Sequence, residues 1–283
     1  MRIRTGITLL TLFITSAFAQ TAYIPIEKSR TDVIEPQGPG EINWTQQVIK
    51  AKGWGIIDSG LPLPQAKAMA IRAATVVAQR NLIEIIKGVR VVSETKVNDL
   101  MTKDDYIYSR IEGVVKGAKM IGEPIEKDGM VEVELAISIY DSDGIAPPIQ
   151  EGLGVKLIKL AKLTDKEKEK IKKITGLVID ARAVGAKPAV FPRILDKDGN
   201  ILFDPAEYYD PNDPTLQKIV KIITHAEQKI KESDFGDNPY FIKAIKAVHS
   251  DIVVSDDQRD KVNWLKKTFK ALIEFGKVLW VLL

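Results

Sequence analysis

The chain of 283 residues contains no cysteine and only two histidines, His225 and His249. The first absence excludes disulfides, thiolate nucleophiles, thiolate metal sites and the lipidated cysteine of a lipoprotein. The second removes most histidine-based catalytic and metal arrangements. His225 falls among Lys218, Lys221 and Lys229, opposite the apolar stripe of its expected helix, where ammonium groups oppose cation binding. His249 closes an expected helix, and capping a carbonyl is a sufficient role for it. The chain also lacks an excess of positive charge, since 41 basic residues face 38 acidic ones, so no nucleic-acid partner is expected. Beyond residue 19 no long uncharged apolar run occurs, so membrane contact is expected to be peripheral only.

At the amino terminus, Met1-Arg2-Ile3-Arg4 is a positive segment and Ile7 to Phe18 is mostly apolar and uncharged. Ala17-Phe18-Ala19 then places small residues at the two positions that a signal peptidase reads. Residues 1–19 therefore read as a cleavable signal peptide, cut between Ala19 and Gln20, with an uncleaved anchor as the alternative. Cleavage removes Arg2 and Arg4 and no acid, lowering the net charge from +3 to +1. The expected address is periplasmic or extracellular, without lipid.

Residues 20–43 carry Pro25, Pro36, Pro39, Gly38 and Gly40 with little periodicity and read as an extended arm, laid on a neighbouring subunit or free as a tail. A first domain follows over 44–141. A strand from Trp44 to Gly55 leads into a helix over Gln65 to Lys87, whose buried-type face is rich in alanine, with Gly88 as its stop. Val89 to Val97, Ile107 to Glu123 and Met130 to Tyr140 are rich in valine and isoleucine and read as antiparallel strands, with Lys127-Asp128-Gly129 as a hairpin turn. Gly53 and Gly55 would let the first strand approach Ala70 and Ala74, where larger side chains would overpack.

Residues 142–174 read as a connection followed by a short basic helix opened by the capping box Thr164 to Glu167. The second domain, 175–283, begins with the buried-type strand Leu177 to Asp180. Ala189 to Leu195 continues it into the turn Asp196 to Asn200. Two helices are expected next. Asp213 would cap the first, whose apolar stripe is Leu216, Ile219, Val220, Ile223, Ala226 and Ile230, and Pro239 to Val248 would supply the second. Ile252-Val253-Val254, a helix from Ser255 to Phe275 stopped by Gly276, and Val278 to Leu282 read as a βαβ unit with parallel strands. The expected class is α+β, with a small antiparallel sheet and a long helix first and an α/β domain after it.

No catalytic set, cofactor motif or metal motif emerges. Asp196 to Asn200 brings its glycine too early for an EF-hand loop, and no glutamate closes it. Gly53-Trp54-Gly55 lacks the third glycine of a dinucleotide fingerprint. The adjacent carboxylates Asp104/Asp105 and Asp256/Asp257 diverge on any regular element.

Gly53-Trp54-Gly55, then Ala66, Ala70, Arg72, Ala73, Ala74, Ala78, Arg80-Asn81-Leu82 and Gly88-Val89, followed by Val114, Lys116-Gly117-Ala118 and Asp128-Gly129, resemble the Lpp-twenty lipoprotein family. They are also similar to the N-terminal domain of flagellar assembly protein T. The resemblance spans about residues 44–140 and implies a periplasmic or outer-membrane protein of a kind some of whose members build rings or discs around the flagellar motor. The chain departs from the lipoprotein members in having Gln20 where they carry cysteine. Residues 175–182, Lys187 to Ala189 and Asp237 to Pro239 resemble a domain that accompanies this module in longer exported proteins.

The functional expectation is a non-catalytic envelope scaffold that self-associates as a homo-oligomer and docks other envelope or flagellar proteins. Arg72 and Arg80 are candidates for bridging subunits, with stems lying on local apolar surface as the alternative. The competing expectation is a periplasmic ligand-binding protein with an anionic or glycan ligand in an interdomain cleft around Arg182, Arg193 and Tyr208. An enzyme is the third.

Overall fold

The computed structural model describes residues 32–158, 162–217, 220–223, 235–277 and 279–283. The signal peptide with its Ala19/Gln20 junction, and His225, lie outside the described residues, as do Ile219, Ala226 and Ile230 of the expected stripe.

The chain opens on β1 (Ile34–Gln37), β2 (Gly40–Asn43) and β3 (Val48–Ile56). Residues 34–43, expected within an extended arm, thus form a hairpin, turned at Gly38 with φ +52° and paired through β2 to β3. Proline and glycine obscured the pattern there, but Ile42 and Trp44 are buried and anchor the hairpin in the core. Then follow α1 (Leu63–Gly88), the short hairpin β4 (Arg90–Val92) and β5 (Thr95–Lys96), α2 (Val97–Lys103) and α3 (Asp105–Lys116). Residues 107–116, expected as strand, are helical. Ile107, Ile111 and Val115 recur every fourth residue and form the buried face of α3, while Asp104 caps it by accepting the Tyr106 amide at 2.8 Å.

β6 (Lys119–Met120), β7 (Ile125–Lys127) and β8 (Met130–Ser138) complete a wholly antiparallel sheet. Its order is β1-β2-β3-β8, with β6 and β7 on the far side of β8. Asp128 and Gly129 both take positive φ in the β7–β8 turn, the geometry that favours Asp-Gly in tight hairpins.

The expected connection contains α4 (Ala146–Leu153), whose residues Ala146 to Gln150 are buried, so it is a packed element. α5 (Asp165–Lys173) carries the reciprocal Thr164/Glu167 capping box. Beyond it come β9 (Leu177–Asp180), β10 (Ile194–Leu195), β11 (Ile201–Phe203), α6 (Pro214–Gln217), β12 (Val220–Ile223), β13 (Tyr240–Val248), β14 (Asp251–Val254), α7 (Asp256–Glu274) and β15 (Leu279–Leu282).

The first expected helix opens as expected in α6, where Asp213 accepts the Thr215 amide at 2.9 Å, but its residues 220–223 are the strand β12, and the second expected helix is the strand β13. In β13 the triplet spacing of Ile242, Ile245 and Val248 mimics a helix, yet Ile245 and Val248 are exposed. Ile242 is buried, Ala244 is partly buried and packs on the core, and a bulge between Ala244 and Lys246 shifts the register. The sheet is mixed, in the order β11-β10-β14-β13-β9-β15-β12. β13, β9, β15 and β12 are mutually parallel, and β14 runs against β13. The order strand, helix, strand holds for β14, α7 and β15, but β13 and β9 lie between the two strands, which run in opposite directions. The fold is α+β: an antiparallel sheet packed with a long helix, then a mixed sheet with helices.

Candidate interaction surfaces

The antiparallel sheet is organised by the contact of α1 with β3. Ala66, Ala70, Ala74 and Ala78 face the sheet, and a Cβ on Gly53 would stand 2.1 Å from the Ala74 carbonyl oxygen. One on Gly55 would stand 2.0 Å from that of Ala70. Side chains at 53 and 55 are therefore incompatible with this approach, because the obstructing atoms are backbone. Asn81 donates from Nδ2 to the Lys52 carbonyl at 2.7 Å and pins the same contact. Gly88 is the last helical residue, and its φ is not left-handed. α1 ends because Val89 and Val91 turn into the core in extended conformation.

This packing leaves two faces outward. On the sheet, register sets Ile56 beside Met130 and Trp54 beside Glu132, which also neighbours Ile125 of β7. Trp54, Ile56, Ile125 and Met130 are all exposed, Ile56 by 77%. Glu132 accepts from Lys52 Nζ at 2.6 Å and from Trp54 Nε1 at 2.9 Å. The lysine hydrogen bond holds the Glu132 carboxyl below its usual range, and the same bond raises Lys52. On the opposite side, α1 exposes Met69, Arg72, Ala73, Val76 and Arg80. No hydrogen bond or ion pair engages the guanidinium of Arg72 or Arg80 among the described residues.

The residues expected around an interdomain cleft are each engaged internally. The Arg193 guanidinium pairs with the buried Asp251 carboxylate, which also accepts the Ser93 amide at 3.3 Å across the seam. Arg182 forms a two-pronged pair with Asp180, and the Tyr208 hydroxyl donates to the Lys266 carbonyl at 2.6 Å. The seam between the sheets is closed by groups that sequence reasoning missed. The buried Tyr140 hydroxyl donates to the Val190 carbonyl at 2.6 Å, Tyr209 donates to the Tyr140 carbonyl at 2.8 Å, and Phe191 packs on both rings. Gln150 Nε2 reaches the carbonyls of Ala206 and Tyr209, and Phe191 N–H bonds to Val91 O. Burial pushes the Tyr140 phenol well above its ordinary range. His249 does not end a helix. It sits with φ +57° in the β13–β14 turn and contacts Glu94 at 3.0 Å.

The Asp196 carboxylate turns inward and accepts the amides of Asp198 and Asn200 and the Arg259 guanidinium, which makes it the keystone of a hairpin turn. Among the described residues no group of three acidic or histidine side chains is arranged to hold a metal. Nor is any described helix long and apolar enough to cross a membrane. A shallow notch of about 30 Å³ lies between α3, β6 and β8, beside Ala118, Ser138 and Asp143.

Residues 176–282 match the family described as the second domain of Treponema pallidum Tp0624. The matched segment runs from the residue before β9 to the end of β15 and so contains the entire mixed sheet. No curated protein matches the chain.

Proposed function

We propose that the protein is a non-catalytic scaffold of the cell envelope, acting by self-association and by docking other envelope proteins. The observation that carries this reading is the exposure of large apolar side chains on both outward faces of the first domain, on the sheet and on α1. A contiguous apolar patch held rigidly on a sheet costs solvation when bare and marks a surface that is covered in use. Gly53 and Gly55 support it indirectly, since the close seating of α1 keeps the β3 and β8 side chains in fixed register. The export-type amino terminus and the resemblance to the Lpp-twenty and flagellar assembly protein T modules favour the periplasm and an assembly around the flagellar motor.

Light scattering of the purified protein across a concentration series, with electron microscopy of the same samples, tests the reading. Oligomers, rings or filaments are the expected result. A monomer at every concentration, together with unaltered motility and envelope structure on deletion, would overturn it. Mass spectrometry of the exported form should find Gln20 at the amino terminus.

A further inference from the structure

The outward ridge of α1 has a defined chemistry. Met69 and Val76 are 55% and 42% exposed, lie two turns apart on one line, and are interleaved with Arg72 and Arg80. The sequence from residue 59 to residue 83 contains no carboxylate, and Glu84, one turn beyond Arg80, is held by Lys87 at 2.8 Å, so the two arginines lack an ion-pair partner on α1. Such a ridge is a poor match for its own copy. An antiparallel α1–α1 contact centred on Val76 would set Arg72 of one molecule against Arg80 of the other. Whatever covers it presents carboxylates spaced along a helix or strand, with apolar or aromatic surface between them.

The same domain carries a surface of that description. α3 exposes Asp105, Tyr106 and Tyr108, with Glu112 half-exposed on the same side, and Asp104 stands at its cap. The Asp105 carboxylate has no ion pair or hydrogen bond among the described residues, and the Glu112 carboxylate meets only Lys116, loosely, at 3.6 Å. At 1.5 Å per residue, Asp105 and Glu112 lie about 10 Å apart along α3, and Arg72 and Arg80 about 12 Å apart along α1. Tyr108 falls between the acids as Val76 falls between the bases. Arginine, methionine and tyrosine are the residues that protein interfaces favour.

The geometry points to a contact between copies of this chain in which the α1 ridge of one molecule receives the α3 face of another, Arg72 and Arg80 meeting Asp105 and Glu112 around Val76 and Tyr108. This rests on the self-association proposed above and gives it an address. The outer sheet face is left free for a different partner.

Sedimentation velocity over a concentration series tests it with two charge-reversed forms of the full chain, Arg72→Glu/Arg80→Glu and Asp105→Lys/Glu112→Lys. Circular dichroism melts check that each form folds. In the first form both faces are acidic, and in the second both are basic, so each alone should self-associate at least about tenfold more weakly than the parent. Mixed in equal amounts they should associate with each other about as tightly as the parent does with itself, because every acidic face then finds a basic one. Parent-like association of either form alone would overturn the contact while leaving self-association standing. Weakening without recovery on mixing would show that the two faces do not meet. A parent protein that stays monomeric throughout would remove both the contact and the self-association beneath it.

Discussion

Replacing Gly53 by alanine is the sharpest perturbation of the packing of α1 on the antiparallel sheet. The added Cβ would lie 2.1 Å from Ala74 O and 2.3 Å from Ala78 N. A carbon–oxygen contact relaxes near 3.3 Å, so α1 must retreat from β3 by about 1.2 Å over this stretch. A gap of about 0.5–1 Å already forfeits a quarter to a half of the dispersion attraction across it and this one forfeits more, a loss shared by the buried face of α1 from Ala66 to Ile86. Overpacking costs about 1–3 kcal/mol in general, and the upper end applies because the obstructing atoms are backbone and cannot rotate away. The expected destabilisation is about 3 kcal/mol, a large part of the stability of an ordinary domain. Urea unfolding monitored by circular dichroism measures it. Two further variants separate the mechanism from a general sensitivity of the region. Gly53→Ala combined with Ala74→Gly should recover nothing, because the clash is with the Ala74 carbonyl and not with its methyl group. Gly88→Ala meets no atom within 4 Å and needs no left-handed φ, so it should be neutral or stabilising by about 0.5–1 kcal/mol. A Gly53→Ala protein within about 0.5 kcal/mol of the parent would refute the close approach.

Asp251→Ala leaves the Arg193 guanidinium and the Ser93 amide without their acceptor at the seam and should cost about 3 kcal/mol by urea unfolding. Tyr140→Phe leaves the Val190 carbonyl unpaired and should cost about 1–2 kcal/mol by the same assay. The Tyr140 phenol is raised by burial, so its contribution is intact below the unfolded value of about 10 and is lost as pH rises above it, by up to about 1.4 kcal/mol per pH unit. Alkaline unfolding curves should therefore be steeper for the parent than for Tyr140→Phe.

Legibility in the sequence followed the range of the forces involved. α1 announced itself because its alanines repeat at helical spacing over 26 residues, and the Asp128-Gly129 turn because it needs only its own backbone. The Thr164/Glu167 box formed as expected because both partners sit within one turn. β13 misled because Ile242, Ile245 and Val248 are spaced for a helix, and only pairing with β9 and β14 makes that segment a strand. α3 misled through composition, since valine and isoleucine can line a helix buried on one side as readily as a strand. Of the site residues, Gly53 and Gly55 could be read as a close approach from the small residues opposite them. Nothing local marks Asp251 or Gln150, whose partners lie 158 and 56 residues away respectively.

The sequence alone determined the repeated small face of α1, the local caps and turns, and the α+β class, because each depends on periodicity or on contacts within a few residues. Only the tertiary structure decided that residues 34–43 pair as a hairpin, that β9 and β13 separate β14 from β15, and that Tyr140, Gln150 and Asp251 close the seam. Those outcomes depend on hydrogen bonds and burial between segments far apart in the chain. The free energy of such contacts exists only once the chain has brought both partners out of water together.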